Sequence, residues 1–346
     1  MENKIKTGIL GLWQDRHILE IIEQMDCFDI TAVADTDIET AQNISKKFHP
    51  CQGYDDYRQM VAQNDLKLLI VSEPVFNAVE HIRAAIKKDF NIFKTAPAGR
   101  NFSEVAELAS LARSKKIVFA IGNHWRYSGS WSTLKDYISQ NRLESPGFIQ
   151  AQWFLPQQID AKQAWLKDPK LAGGGVLLYD AYQGFDMIVA NFGLPEQVYA
   201  LSLSSAPDRQ QRTYLTEDTA TIFMRYSESL IVNFSVSRSY GPREKNIKIY
   251  GKNFNIETTD NVFKTFDNSG NIIEEFEFFD EKQALLTQYF ADLAEVLSKG
   301  ENIDRLSQLR DNLAVAAVIE ACYLSAKTLM PEEPAKILEM AGQKLN

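Results

Sequence analysis

The chain has 346 residues, 45% of them hydrophobic, 11% aromatic and 24% charged, a length that predicts two domains, or three. That apolar and aromatic content excludes a disordered or low-complexity chain, which could not offset its ordering entropy by burial. Lys+Arg number 37 against 46 Asp+Glu, and the resulting charge of −9 works against binding to phosphate backbones or anionic bilayers, so neither nucleic acid nor membrane is an expected partner.

No apolar run approaches the roughly 18 to 20 residues of a membrane span, and Met1 to Trp13 reads as a short strand rather than a secretion signal; a cytoplasmic protein is expected. Cys27, Cys51 and Cys322 are odd in number and far apart, which reads as three free thiols. Neither the histidines nor the carboxylates have metal-ligand spacing, so no metal is expected.

From Lys4 to Gly122, short apolar runs alternate with segments of helical period, the pattern of βαβ units in a parallel sheet. Ile5 to Gly11 is the first strand, and Ile18, Ile21, Ile22 and Met25 form the stripe of a helix lying on the sheet. Ile30 to Asp35, Leu66 to Ser72, Phe90 to Phe93 and Ile117 to Gly122 supply further strands, with helices over Phe76 to Lys88 and Ser103 to Lys115. The expected architecture is α/β, with an N-terminal doubly wound parallel sheet of the Rossmann type over residues 1–122.

After about Gly147 the pattern changes to alternating runs joined by tight turns. Ala220 to Tyr226 and Leu230 to Ser237 form one hairpin, and Asn261 to Phe266 and Ile272 to Phe278 another. Residues 123–346 therefore predict an α+β domain built on a large, mainly antiparallel open sheet. Helices over Glu281 to Ser298 and Leu306 to Leu329 pack on this sheet or back on the first domain.

A dinucleotide fold needs a glycine turn after strand one, so that backbone amides approach the diphosphate, and an acid about 20 residues later for the ribose. Gly11, Leu12 and Trp13 occupy the turn, and Asp35 ends a strand 24 residues after Gly11. Trp13 stands where a small residue would ease the approach of a diphosphate. Asp35 serves a ribose or simply ends its strand.

Several blocks in order resemble the Gfo/Idh/MocA family of NAD(P)-dependent sugar and inositol oxidoreductases. They are ITAVADTD at Ile30 to Asp37, LLIVSEP at Leu68 to Pro74, NIFKTAPAG at Asn91 to Gly99, GNHWRY at Gly122 to Tyr127, and Trp165 through Gly173-Gly174-Gly175 to Asp186. The resemblance covers nearly the whole chain. It implies a cofactor, NAD or NADP, bordered by Gly11, Leu12, Trp13, Asp35, Ser72, Pro74, Thr95 and Ala96, and Asp35 disfavours a 2′-phosphate by charge.

The family's Glu-Lys-Pro falls on Thr95-Ala96-Pro97, so its lysine position is Ala96. Its helix Asp and His fall on Tyr179 and Gln183, and an Asn after the strand-four proline falls on Val75. Every proton-transfer group implied by the resemblance is therefore changed. Oxidising an alcohol releases a proton that a titratable group must accept. Glutamine can orient a hydroxyl without titrating, whereas a tyrosine needs a neighbouring cation to act near neutrality. His124 is the histidine nearest a site block and is either a base or a packing residue. His17, His49 and His81 read as surface or packing residues. Lys94, two residues before Ala96 on the same strand face, either replaces the missing ammonium or is a solvated charge.

Candidate catalytic residues are thus His124, Tyr179 and Gln183, and candidate substrate residues are Lys94, Trp125, Arg126, Tyr127, Trp165 and Tyr182. Trp153, Phe154, Trp165, Tyr179 and Tyr182 suit either a sugar-stacking cleft or a core. Gly173-Gly174-Gly175 permits a close turn before a helix beginning near Leu177. Two functions fit: an oxidoreductase of sugar-like small molecules with a rebuilt site, or an inactive relative that senses nucleotide or sugar. The uncovered face of the open sheet predicts a homo-oligomer.

Overall fold

A computed structural model describes residues 4–12, 16–160, 163–205, 216–300, 306 and 309–343. The chain forms two compact units: residues 1–99, 103–124 and 281–309 make the first, and residues 100–102, 125–280 and 310–346 the second.

The first unit alternates β1 (Ile5–Leu10), α1 (Arg16–Gln24), β2 (Phe28–Ala34), α2 (Ile38–Ser45), β3 (Gln52–Tyr54), α3 (Tyr57–Gln63), β4 (Leu68–Val71), α4 (Val75–Lys87), β5 (Asn91–Thr95), α5 (Phe102–Lys115) and β6 (Phe119–Gly122). The strands are parallel in the order β3-β2-β1-β4-β5-β6. This is the doubly wound order expected from the alternation, with its reversal between β1 and β4. Helices cover both faces of such a sheet, so its central strands are apolar throughout, and Leu68 to Val71 are all buried. The stripe Ile18, Ile21 and Ile22 is buried as its spacing requires, and each such side chain contributes roughly 1.5–3 kcal/mol. Asp37 and Asp56 cap α2 and α3 by accepting from Glu39 N and Arg58 N.

In the second unit follow α6 (Gly129–Ser139), β7 (Phe148–Phe154), the short α7 (Pro169–Ala172), α8 (Tyr182–Phe192), β8 (Gln197–Leu203), β9 (Thr219–Ser227), β10 (Leu230–Ser237), β11 (Glu244–Tyr250), β12 (Asn255–Thr259), β13 (Val262–Phe266) and β14 (Ile272–Glu277). Then α9 (Lys282–Lys299) joins the first unit, and α10 (Leu309–Thr328) and α11 (Pro334–Met340) end the described chain. The alternatives left open for α9 resolve on its aromatic face: Phe290 lies 4.7 Å from Phe93 between ring centres, and Tyr289 Oη donates to Ile121 O at 2.9 Å.

The eight strands of the second unit run β14-β13-β12-β11-β7-β10-β9-β8, antiparallel except for the parallel β7/β10 pair. One face packs on helices: Trp153 and Phe185 meet Phe234 edge-on, and Tyr137 of α6 meets Phe263. The other presents Phe148, Leu201, Leu203, Phe223, Ile231 and Tyr250, each at least 40% exposed. No helix among the described residues is long and apolar enough to cross a membrane.

Candidate functional site

In the first unit the C-terminal strand ends at the β1/β4 reversal form the crevice where doubly wound sheets take ligands. Gly11 turns there with φ +83°, and a Cβ on it would stand 2.7 Å from Glu73 N, so only glycine fits. Leu12 N donates to Asp35 Oδ2 at 2.9 Å, and Asp37 N donates to Asp35 Oδ1 at 3.0 Å. The acid at the end of β2 thus fastens the turn after β1, with acceptor capacity left on its oxygens. Trp13 lies outside the described residues. Ser72 N donates to Leu10 O at 2.8 Å, while Ser72 Oγ is buried without a partner among the described residues. Pro74 opens α4.

Lys94 pairs across the sheet with Val71 and Ile121 and is 2% exposed. That excludes the solvated strand-end charge. Its Nζ donates to Thr95 O at 2.8 Å and to Thr95 Oγ1 at 3.1 Å, and burial pushes its pKa down to about 8 against the opposing pull of Glu73. Glu73 is bonded to His81 Nδ1, and the His81 ring lies against Tyr57. His81, read as surface or packing, is therefore a partner of a buried carboxylate. Ala96 and Pro97 follow β5, and His124 is buried in the 3₁₀ turn after β6.

In the second unit the three glycines are each enforced by contact. A Cβ on Gly173 would fall 2.2 Å from Arg100 O, on Gly174 1.9 Å from Tyr323 Oη, and on Gly175 1.9 Å from Glu217 O. The half-buried Glu217 carboxylate accepts from Gly175 N, from Leu177 N at 3.0 Å and from Tyr323 Oη at 2.9 Å. Burial pushes its pKa up against those bonds. The helix expected near Leu177 begins instead at Tyr182, because the backbone up to there is committed to a turn around Glu217.

That turn carries Tyr179, whose Oη donates to Ala172 O at 2.7 Å and whose ring meets Trp165 edge-on at 5.7 Å. Tyr182 points into the core, its Oη donating to Asn312 Oδ1 at 2.6 Å. Arg126 grips the buried Asp186 with two bonds, at 2.8 and 2.6 Å, and Asp180 pairs with Arg238. Tyr127 completes the same 3₁₀ turn as Trp125 and Arg126.

Trp125 and Gln183 do come together, in a narrow pocket that Ser128, Ser130, Trp153, Met187, Lys245 and Asp260 also line. Lys245 Nζ sits 4.4 Å above the Trp125 ring centre and 3.7 Å from Asp260 Oδ1. Sequence reasoning missed Lys245, Glu73 and Glu217. Nothing in their local pattern separates them from solvated charges.

Residues 5–123 match the description "Oxidoreductase family, NAD-binding Rossmann fold", and residues 131–257 match "GFO/IDH/MocA C-terminal domain". The chain belongs to the Gfo/Idh/MocA family. Its curated relatives include an uncharacterized oxidoreductase of Synechocystis, 24% identical over 231 residues, a match spanning 64% of this chain and 62% of that one. Another is the scyllo-inositol 2-dehydrogenase (NADP(+)) IolU of Bacillus subtilis, 22% identical, with 69% and 73% covered. The matches to the first curated relatives thus span about three fifths of their length. Among solved structures, levoglucosan dehydrogenase in complex with NADH and levoglucosan superposes with a TM-score of 0.84 at 15% identity, covering 96% of this chain and 99% of that one. This Gfo/Idh/MocA member has the family's fold, with the glycine run Gly173-Gly174-Gly175 in its second unit.

Proposed function

We propose that the protein is an NAD-dependent oxidoreductase of polyhydroxylated, sugar-like substrates. The observation that carries this reading is the left-handed Gly11 turn fastened by Asp35 at the sheet reversal, next to the orphaned Ser72 Oγ. Asp35 suits the ribose of a dinucleotide, and Ser72, Pro74, Thr95 and Ala96 its nicotinamide half, while the Gly11 and Leu12 amides are already bonded to Ala34 O and Asp35. Asp35, with Asp37 beside it, repels a 2′-phosphate. When bound, the dinucleotide supplies the acceptor for the substrate's hydride.

On the substrate side, the Gln183 amide suits the orientation of ligand hydroxyls. Relatives whose names carry inositol and levoglucosan support a polyol. Arg126 and Tyr182 act as supports, since their polar groups are committed to Asp186 and Asn312. Tyr179 ties its own turn by donating to Ala172 O. The second unit's uncovered apolar face pairs with a second copy, as an exposed patch of this kind requires burial.

The test is a thermal-shift titration with NAD⁺, NADH, NADP⁺ and NADPH, followed by absorbance assays of NADH formation with inositols and anhydrosugars. A ligand at 100 times its dissociation constant adds about 2.7 kcal/mol. Stabilisation by NAD(H) followed by turnover is expected. Absence of any shift defeats the reading; binding without turnover of any polyol favours a sensor, consistent with the loss of a lysine at Ala96.

A further inference from the structure

Lys94, in the first unit, holds its ammonium on neutral partners. The residue is 2% exposed and forms no ion pair among the described residues; its two bonds go to the carbonyl and the hydroxyl of Thr95. Val71 of β4 and Ile121 of β6 flank it. Glu73 is the charged group that acts on it, and that carboxylate is bonded to His81 of α4. Glu104, in the first turn of α5, lies against Gly99, and His124 follows β6. Burying a cation on neutral partners costs stability, and a desolvated titratable group kept at a ligand crevice is a candidate for chemistry.

Thr95 is half-buried at the C-terminal end of β5, and the register that sets Lys94 opposite Val71 brings this end level with Ser72. We propose that Thr95 and Lys94 form a proton relay, with Thr95 as the catalytic residue that takes the proton of a substrate hydroxyl and Lys94 as the positioning residue that acts through it. The inference rests on the oxidoreductase reading and deepens it. A hydroxyl has one donor and two acceptor sites, so Thr95 Oγ1 can hold Nζ on one side and a substrate hydroxyl on the other. In the step, the substrate O–H proton passes to Thr95 Oγ1, and the proton of Thr95 passes to the unprotonated Nζ across their 3.1 Å contact. The C–H electron pair leaves as hydride to NAD⁺ while the C=O bond forms, so that Thr95 is unchanged and Lys94 ends as an ammonium. Burial pushes the Lys94 pKa down to about 8 against the pull of Glu73, which leaves an unprotonated fraction near neutral pH.

The first readout needs neither cofactor nor substrate. In the full chain labelled with [ε-¹³C]lysine, the Lys94 signal, assigned by its loss in Lys94→Met, is expected to titrate near pH 8, below the ordinary lysine value near 10.4. Thr95→Val removes an acceptor from the ammonium and should move that transition lower still, and Thr95→Ser should restore it. In turnover assays, polyol oxidation by the parent protein rises with pH through the same transition. Thr95→Val and Lys94→Met should each lose about 100-fold in kcat together with that pH dependence, while Thr95→Ser retains both. Because Lys94 lies behind Thr95, Lys94→Met should leave the NAD⁺-induced thermal shift in place. A Lys94 signal that titrates at about 10.4 or above overturns the relay. So does a kcat retained in Thr95→Val, or one that survives Lys94→Met and is lost in His124→Gln. Failure of the oxidoreductase reading shows separately, as absent NAD⁺ binding with the low Lys94 transition intact, and it removes the relay with it.

Discussion

Asp35 and Leu12, 23 residues apart, are joined by a 2.9 Å hydrogen bond from the Leu12 amide to the Asp35 carboxylate. The end of β2 therefore sets the shape of the turn that follows β1. Asp35→Ala leaves the Leu12 and Asp37 amides without their acceptor at a largely buried position. The expected cost is about 1–3 kcal/mol, read as a lower urea midpoint, together with loss of the NAD⁺-induced thermal shift. Asp35→Asn keeps an acceptor and loses less stability. Unchanged NAD⁺ binding in Asp35→Ala would contradict the role given to this residue.

Lys94 makes a prediction about pH. Its native pKa, about 8, lies below the value of 10.5 for the unfolded chain, so between these values the unfolded state binds more protons and stability rises with pH. Below pH 8 the burial penalty is fully present. A shift of this size corresponds to about 3 kcal/mol, from which Lys94→Met forfeits two hydrogen bonds to Thr95 worth ~1 kcal/mol each. Lys94→Met is therefore expected to be slightly more stable than the parent protein at pH 7 and less stable by pH 10.5. Melting curves at the two pH values check this crossover.

Glu217 holds the triple-glycine turn by accepting from two backbone amides and from Tyr323. Truncation to alanine orphans the Leu177 amide and the Tyr323 hydroxyl, while Gly175 N keeps a 3.2 Å bond to Tyr323 Oη. A loss of about 2 kcal/mol is expected in denaturant midpoints, with Glu217→Gln recovering part of it because its amide oxygen still accepts. Tyr323→Phe removes one donor and should cost about 1 kcal/mol.

On the uncovered face of the second unit, Ile231 lies opposite Phe148 on the neighbouring strand, and Phe148 stacks on Tyr250 at 5.8 Å. A charge placed at Ile231 or Phe223 would be buried, unpaired, in any pairing of two such faces. Ile231→Arg and Phe223→Glu are expected to convert the protein to monomer, measured by light scattering on a sizing column, with the melting midpoint nearly unchanged in dilute solution. A parent protein that is monomeric at high concentration would refute the pairing.

Much of the fold was legible because its determinants are local. The spacing of Ile18, Ile21 and Ile22 reports a helix face, the all-apolar Leu68 to Val71 a strand buried on both sides, and the alternation of Ala220 to Tyr226 a strand with one wet face. Short elements were lost to the same rule: β3 spans only Gln52–Tyr54, too few residues to show a period. The helix expected at Leu177 was displaced because Glu217, forty residues on, claims the Leu177 amide.

The sequence by itself determined the alternating and hairpin-rich halves and the Gly11 turn with its acid at Asp35. Only the tertiary structure decided which charges are buried and whom they face. Lys94, Glu73, Glu217 and Lys245 look alike in a sequence, because a charged side chain's neighbours come from strands and turns far along the chain. Packing shields each of them from water, and that desolvation, together with fixed partners, turns a common surface residue into a structural clamp.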